Sequence, residues 1–161
     1  RLDEWDWEEN PFVGTKELQG LRIMMVFLTN WDVGNFQNKV LEIKGRNGTE
    51  NHYIISDLGA TLGRLGNNNL PLFYRFGRQI GKPKDYVKGK NRFIFDDITV
   101  SDAAWLANLL RQLSDKQIRD AFRAAHYTPQ EIKTFTIGVK NRIKELNRIS
   151  SNNSLAKTND E

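Results

Sequence analysis

The stretch LRIMMVFLTNWDVGNFQNKVLEIKGRNGTENHYIISDLG, residues 21–59, decides the fold of this chain. It opens inside a helix pattern, because apolar residues recur every three or four positions from Leu18 to Leu28 and Thr15 can cap the first turn. Apolar residues also fill the other faces, so the sequence predicts a central, buried helix. The polar segment 30–38 contains a glycine and several side-chain amides, which predicts a loop directly after that helix.

Two segments with strand character follow the loop. Residues 39–44 alternate between polar and apolar, and residues 52–56 are rich in β-branched and aromatic side chains. Asn47-Gly48 lies between them and is typical of a tight hairpin turn. The sequence therefore predicts a β-hairpin whose outer ends lie side by side.

Capping signals predict three helices in the C-terminal part of the chain. The signals are Thr99 or Ser101 for the first helix, Ser114 with Gln117 for the second, and Thr128, Pro129 and Glu131 for the third. The third helix is predicted to end at about Ile149, and the polar residues 150–161 are predicted to form a disordered tail. The predicted fold is a single α+β domain over residues 1–149, mostly α-helical, with a central buried helix, a β-hairpin and three C-terminal helices.

Length and composition set limits on the function. A chain of 161 residues can bury one core, and the absence of cysteine excludes disulfides and a thiolate metal site. The longest apolar stretch, 23–28, is too short to cross a bilayer, and the acidic opening is unlike a signal peptide. A net charge of +4 suits acidic partners such as a nucleotide or nucleic acid without selecting one. Because the chain opens at Arg1 instead of an initiator Met, we expect it to be a fragment.

The order of these parts points to phosphoryl transfer. That chemistry needs one carboxylate to orient the nucleophile or accept its proton, and a second carboxylate with an amide oxygen to hold magnesium between phosphate oxygens. Asp32, Asp57 and Asn38 are residues of these types. The predicted hairpin would bring Asn38 and Asp57 to the same end of the sheet.

Two motifs carry a resemblance to a known family. LTNWDVGNFQNKVL, residues 28–41, resembles the catalytic loop of atypical kinases, and YIISDLGATLG, residues 53–63, resembles their metal-binding Asp-Phe-Gly segment with Leu58 in the Phe position. Over roughly residues 7–149 the chain is similar to a group of bacterial proteins with a W-x-x-NPF-x-GT-x-E stretch, here starting at Trp7, and an SDLGA segment. More distantly it resembles HipA-like serine kinases and phosphoinositide-kinase-like enzymes.

The resemblance implies a kinase-like C-lobe that transfers a phosphoryl group from ATP to a hydroxyl of a protein or small molecule. Asp32 would be the catalytic aspartate, Asn38 and Asp57 the magnesium ligands, and Gly59 a further residue of the cofactor-binding segment. The implied cofactors are Mg²⁺ and ATP. The family's glycine-rich loop and strand lysine have no counterpart in the chain, so an upstream or separate N-lobe is an implied partner.

Several alternatives remain open. In most kinases the metal-binding Asn follows the catalytic Asp by five residues, a place that Gln37 occupies here. Asp32 could simply cap a helix end, and Asp57 could end a strand in an ordinary turn.

Other functions are also compatible with the sequence. The chain could be a non-catalytic pseudokinase scaffold, or its basic segment 75–92 could bind nucleic acid. We read His52 and His126 as structural, since two histidines without thiols make a zinc site improbable.

Overall fold

The computed structural model describes residues 2–30, 32–46, 48–58, 61–62 and 92–157 of the chain. Its elements in chain order are β1 (Leu2–Glu4), α1 (Lys16–Leu28), β2 (Asn38–Gly45), β3 (Gly48–Ile55), α2 (Val100–Leu110), α3 (Asp115–Ala124) and α4 (Pro129–Lys157), with 3-10 helices at Asn35–Gln37 and Arg92–Phe95. The α+β class, the hairpin and the three C-terminal helices agree with the sequence prediction. The kinase C-lobe identity and the single-domain boundary stay predictions.

The strands form an antiparallel sheet in the order β1-β2-β3. In the hairpin, Asn38 pairs with Ile55 at the outer end and Gly45 pairs with Gly48 at the turn. Gly48 has a φ of +129°, which side-chain-bearing residues rarely adopt, so glycine is required there. This register fixes which residues lie together at the open end of the hairpin.

Helix α1 lies between two hydrophobic clusters, as expected for a helix that is apolar on all faces. Its Ile23 and Phe27 belong to the helical cluster, and its Leu18 and Met25 belong to the sheet cluster. The helical cluster consists of Ile23, Phe27, Leu62, Ala103, Leu106, Leu110, Ile118, Phe122, Phe135, Val139 and Ile143. The sheet cluster consists of Trp5, Trp7, Leu18, Met25, Val33 and Ile94. The predicted central position of this helix is confirmed.

The predicted caps form at the helix starts. Thr15 accepts a hydrogen bond from the Leu18 N–H, Ser114 forms a capping box with Gln117, and Thr128 bonds Glu131 at 2.9 and 2.7 Å. Of the two candidates for the cap of α2, the structure uses Thr99, which forms a capping box with Asp102.

Helix α4 extends to Lys157, whereas the sequence predicted an end at about Ile149 and a disordered tail over residues 150–161. The segment 150–157 contains no glycine or proline, the residues that most strongly end a helix, so the pattern can continue. Within the part of the chain that the structure describes, no helix is long and apolar enough to cross a membrane.

Arg142 joins α4 to the end of α1. Its side chain is 7% exposed, and its guanidinium donates a hydrogen bond to the Phe27 carbonyl. Burial lowers the pKa of Arg142 to about 10, against the opposing effect of the Glu145 carboxylate. A cation at a helix C-terminus complements the helix dipole, so this contact holds α4 against the point where the polar loop begins.

Candidate functional site

The candidate site lies where α1 ends and the polar loop begins. Thr29 ends α1 in the left-handed region, with φ 50°, and its N–H bonds the carbonyls of Met25 and Val26. The Asn30 N–H also donates to the Met25 carbonyl, at 2.9 Å. Thr29 and Asn30 are both fully buried, so the first residues of the loop are held in the interior.

The Asn30 side chain connects the two segments that carry the candidate aspartates. Its Oδ1 accepts a hydrogen bond from the Asp32 N–H at 3.2 Å. Its Nδ2 donates to the Asp57 carbonyl at 3.2 Å and contacts Met25 Sδ at 3.6 Å. The structure therefore brings the backbones of Asp32 and Asp57 to opposite ends of one side-chain amide.

The hairpin brings the Asn38 and Asp57 ends together. Asn38 pairs with Ile55, two residues before Asp57. The pairing continues one residue further, because the Ser56 N–H and hydroxyl both donate to the Gln37 carbonyl, at 2.9 and 2.6 Å. The predicted return of these two chain segments to one end of the sheet is confirmed at the level of the backbone.

Asn38 is fully buried beneath the N-terminal segment. Its Nδ2 donates to the Trp5 carbonyl at 3.2 Å, and the Trp5 N–H donates to the Asn38 carbonyl at 3.4 Å. Its Oδ1 is buried and has no hydrogen-bond partner among the residues that the structure describes. A buried acceptor without a partner costs about 1–3 kcal/mol, so this oxygen does not stabilise the fold.

The two candidate carboxylates are less enclosed than Asn38. Asp32 lies in the loop and Asp57 lies just after β3, and both residues are half-buried. Gly59 lies outside the described residues. Among the residues that the structure describes, no three His, Cys, Asp or Glu side chains gather closely enough to hold a metal ion.

A magnesium site does not require three carboxylates from the protein. Mg²⁺ keeps several waters and is often bound through one or two carboxylates together with substrate phosphates. The donors near the open end of the hairpin are carboxylate and amide oxygens, which are hard ligands of the kind this ion prefers. The residue types fit Mg²⁺ held jointly with a phosphate, and they fit a dedicated site for the bare ion poorly.

Two cavities border the N-terminal segment. One of about 430 Å³ is bordered by Trp5, Tyr53 and several carboxylates, and another of about 310 Å³ is bordered by Arg22 and Phe93. Neither is lined by Asp32, Asn38 or Asp57. These cavities are therefore separate from the candidate site.

The sequence marks Asn30 only as one of several amides in a predicted loop, and it does not single out Arg22. Arg22 is 6% exposed, donates to the Trp7 carbonyl and bonds Gln19 Oε1 at 3.4 Å. An asparagine directly after an apolar helix was the available signal for Asn30, but a single sequence cannot show which distant carbonyl its amide reaches. Most of the basic segment 75–92, the candidate nucleic-acid contact, lies outside the described residues.

The fold and the site define an α+β protein in which a buried helix, a polar loop and a β-hairpin meet at one buried amide. No family model, curated protein or solved structure matches the chain.

Proposed function

We propose that this chain carries the catalytic and metal-binding part of a kinase-like phosphotransferase, which moves a phosphoryl group from ATP to a hydroxyl with magnesium. The observation that carries the proposal is the Asn30 amide, which bonds the backbones of Asp32 and Asp57 at 3.2 Å each. The loop aspartate and the strand-end aspartate are thereby held in neighbouring segments. Phosphoryl transfer depends on such positioning more than on covalent chemistry by the protein.

Each candidate residue has a separate role. The Asp32 carboxylate would orient the attacking hydroxyl and accept its proton. The Asp57 carboxylate and the Asn38 amide oxygen would hold Mg²⁺, and Gly59 would belong to the same binding segment by resemblance. When bound, the ion neutralises charge on the phosphate oxygens. Asn38 Oδ1 supports this assignment because it is buried and has no hydrogen-bond partner in the described part of the chain.

Asn38 follows Asp32 by one residue more than in most kinases, and a 3-10 turn in this loop can take up the additional residue. Asn35–Gln37 form a 3-10 turn directly before β2, and Asn38 is the first residue of that strand. A tight turn shortens the chain path, so Asn38 can still start the hairpin. Asn38 must also be uncovered or approached beside Trp5 when a metal binds.

The test uses the whole chain with Mn²⁺ in place of Mg²⁺ and ATP in millimolar excess. Paramagnetic broadening of amide signals should centre on Asp32, Asn38 and Asp57. Asp57→Asn keeps the size of the side chain and removes its charge, so it should abolish the broadening. Glu42→Gln makes the same change at an exposed position of β2 and should leave the broadening unchanged.

Other results would reject the proposal. Broadening that is absent in the wild-type chain, or that Asp57→Asn leaves in place, would contradict it. Binding of nucleic acid that weakens steeply with salt and ignores Asp57→Asn would favour the nucleic-acid alternative. A folded protein whose amide signals do not change when the nucleotide is added would favour the non-catalytic pseudokinase scaffold.

A further inference from the structure

Every polar atom of the Asn30 side chain is used. The residue is 0% exposed, Oδ1 accepts from the Asp32 N–H, and Nδ2 donates to the Asp57 carbonyl and contacts Met25 Sδ. Because buried amides are costly unless they are bonded, this arrangement defines one orientation of the side chain. Asn30 is therefore a fixed part of the interior.

The two bonds differ in kind. The bond to Asp32 spans two residues, which is an ordinary asparagine turn. The bond to Asp57 spans 27 residues and reaches a segment that follows a different element. A turn needs only the first bond, whereas the second bond joins the turn to the segment that follows β3.

The side-chain type suits a bridge between segments. A carboxamide carries an acceptor and a donor on one rigid plane, whereas a hydroxyl is shorter and an ionised carboxylate only accepts. Serine at this position could retain the turn to Asp32 but would be too short to reach the Asp57 carbonyl as well. The observed pair of bonds therefore needs an amide.

We infer that Asn30 is a positioning residue that sets the spacing between the Asp32 and Asp57 segments and transmits ligand binding at one segment to the other. This inference rests on the proposed function, since the ligand is the metal–nucleotide pair of that site. The Asn30 side chain bonds the backbone of each aspartate. It acts through the two backbones that it joins.

Amide hydrogen exchange tests the bridge first without ligand. Asn30→Ser retains a turn acceptor and loses the long-range bond. It should speed exchange of the Ser56 amide, which bonds the Gln37 carbonyl at 2.9 Å, by about three- to tenfold. Asn35→Ser is the matched control, because Asn35 lies in the same loop and bonds Asp6 and Trp7 instead. Equal effects of the two variants would overturn the bridge.

The second stage adds saturating Mg²⁺ and ATP. Wild-type protein and Asn35→Ser should show slower exchange at the Asp32 amide when the ligand binds, and Asn30→Ser should lose this added protection. A purely local cap would leave the protection equal in all three proteins, which would contradict transmission.

The two proposals can fail separately. If the wild-type chain does not bind the nucleotide, the proposed function and the transmission fail, while the ligand-free exchange still decides the bridge. Asn30→Ala, which removes both bonds, should speed exchange at Asp32 and Ser56 together. An unchanged Asp32 amide in that variant would also overturn the bridge.

Discussion

Asn38 is a buried amide with only one of its two ends satisfied. Nδ2 donates to the Trp5 carbonyl, while Oδ1 is buried and meets no donor within the ranges that the structure describes. An apolar residue of similar size at this position would lose the hydrogen bond to the Trp5 carbonyl, but it would not bury an unsatisfied oxygen. Each effect leaves or removes one unsatisfied buried acceptor, which costs about 1–3 kcal/mol, so the two are of comparable size and stability gives little reason for asparagine here.

The first prediction follows from this balance. Asn38→Leu should change the free energy of unfolding by no more than about 1 kcal/mol, because loss of the Trp5 bond offsets removal of the orphaned oxygen. The same substitution should abolish Mn²⁺–ATP broadening. Urea unfolding monitored by circular dichroism measures the first effect, and NMR measures the second.

A matched substitution separates the two effects. Val33→Ala also changes a fully buried side chain of the loop, and it should destabilise by removing apolar contacts without removing an oxygen ligand. If Asn38→Leu destabilises the protein by several kcal/mol, or binds the nucleotide like wild type, then Asn38 is a structural residue.

At the scale of elements, Gly20 decides how closely α1 approaches α2. A Cβ added at Gly20 would lie 2.4 Å from Cζ3 of Trp105. Glycine in a helix costs up to about 1 kcal/mol relative to alanine, so its presence needs a compensating contact. That contact is the Trp105 ring, which packs directly on the α1 backbone.

The second prediction uses this pair. Gly20→Ala should destabilise the protein by about 1–3 kcal/mol. The added methyl group forces the Trp105 ring to move, and this costs more free energy than the higher helix propensity of alanine provides. In a Trp105→Leu background the same change should be neutral or stabilising. Denaturant unfolding of the four proteins gives a double-mutant cycle. Equal effects of Gly20→Ala in both backgrounds would show that the ring does not set the approach.

The elements were predictable where local chemistry decides them. Ser114 with Gln117 fixes a helix start, and Asn47-Gly48 marks a hairpin turn, since both act over a few residues. The end of α4 was not predictable, because polar residues without glycine or proline carry no clear signal for the end of a helix. The sequence also could not choose between Thr99 and Ser101, since either hydroxyl can cap a helix.

The candidate site was predictable only in part, because its geometry depends on long-range pairing. The hairpin pattern alone is enough to place Asn38 and Asp57 at one end of a sheet. The covering of Asn38 by Trp5 and the reach of Asn30 to the Asp57 carbonyl depend on contacts between distant segments. Residue type identifies a possible donor, and only the fold identifies its partner.

At the scale of the whole molecule, α1 is shared by the helical cluster and the sheet cluster. The two clusters pack on opposite faces of α1, and neither retains its full packing when α1 unfolds. Each cluster therefore stabilises the other through this helix. Trp7 is the largest fully buried side chain of the sheet cluster. Its indole N–H donates to the Val33 carbonyl at 2.8 Å. Its ring packs edge to face on the Trp5 ring, with 4.9 Å between the ring centroids.

The third prediction tests whether the two clusters unfold together. Trp7→Ala should lower the free energy of unfolding by about 3–5 kcal/mol, the usual cost of removing a buried aromatic ring. Because α1 links the clusters, the far-ultraviolet signal of the C-terminal helices should lose stability together with the fluorescence of Trp5, which is followed with the other tryptophans replaced because Trp105 packs on the helical cluster. Phe36→Ala removes an aromatic ring that is 62% exposed and should change stability by no more than about 0.5 kcal/mol. If Trp7→Ala shifts the fluorescence midpoint while the helical midpoint stays at its wild-type value, the clusters are independent and α1 does not couple them.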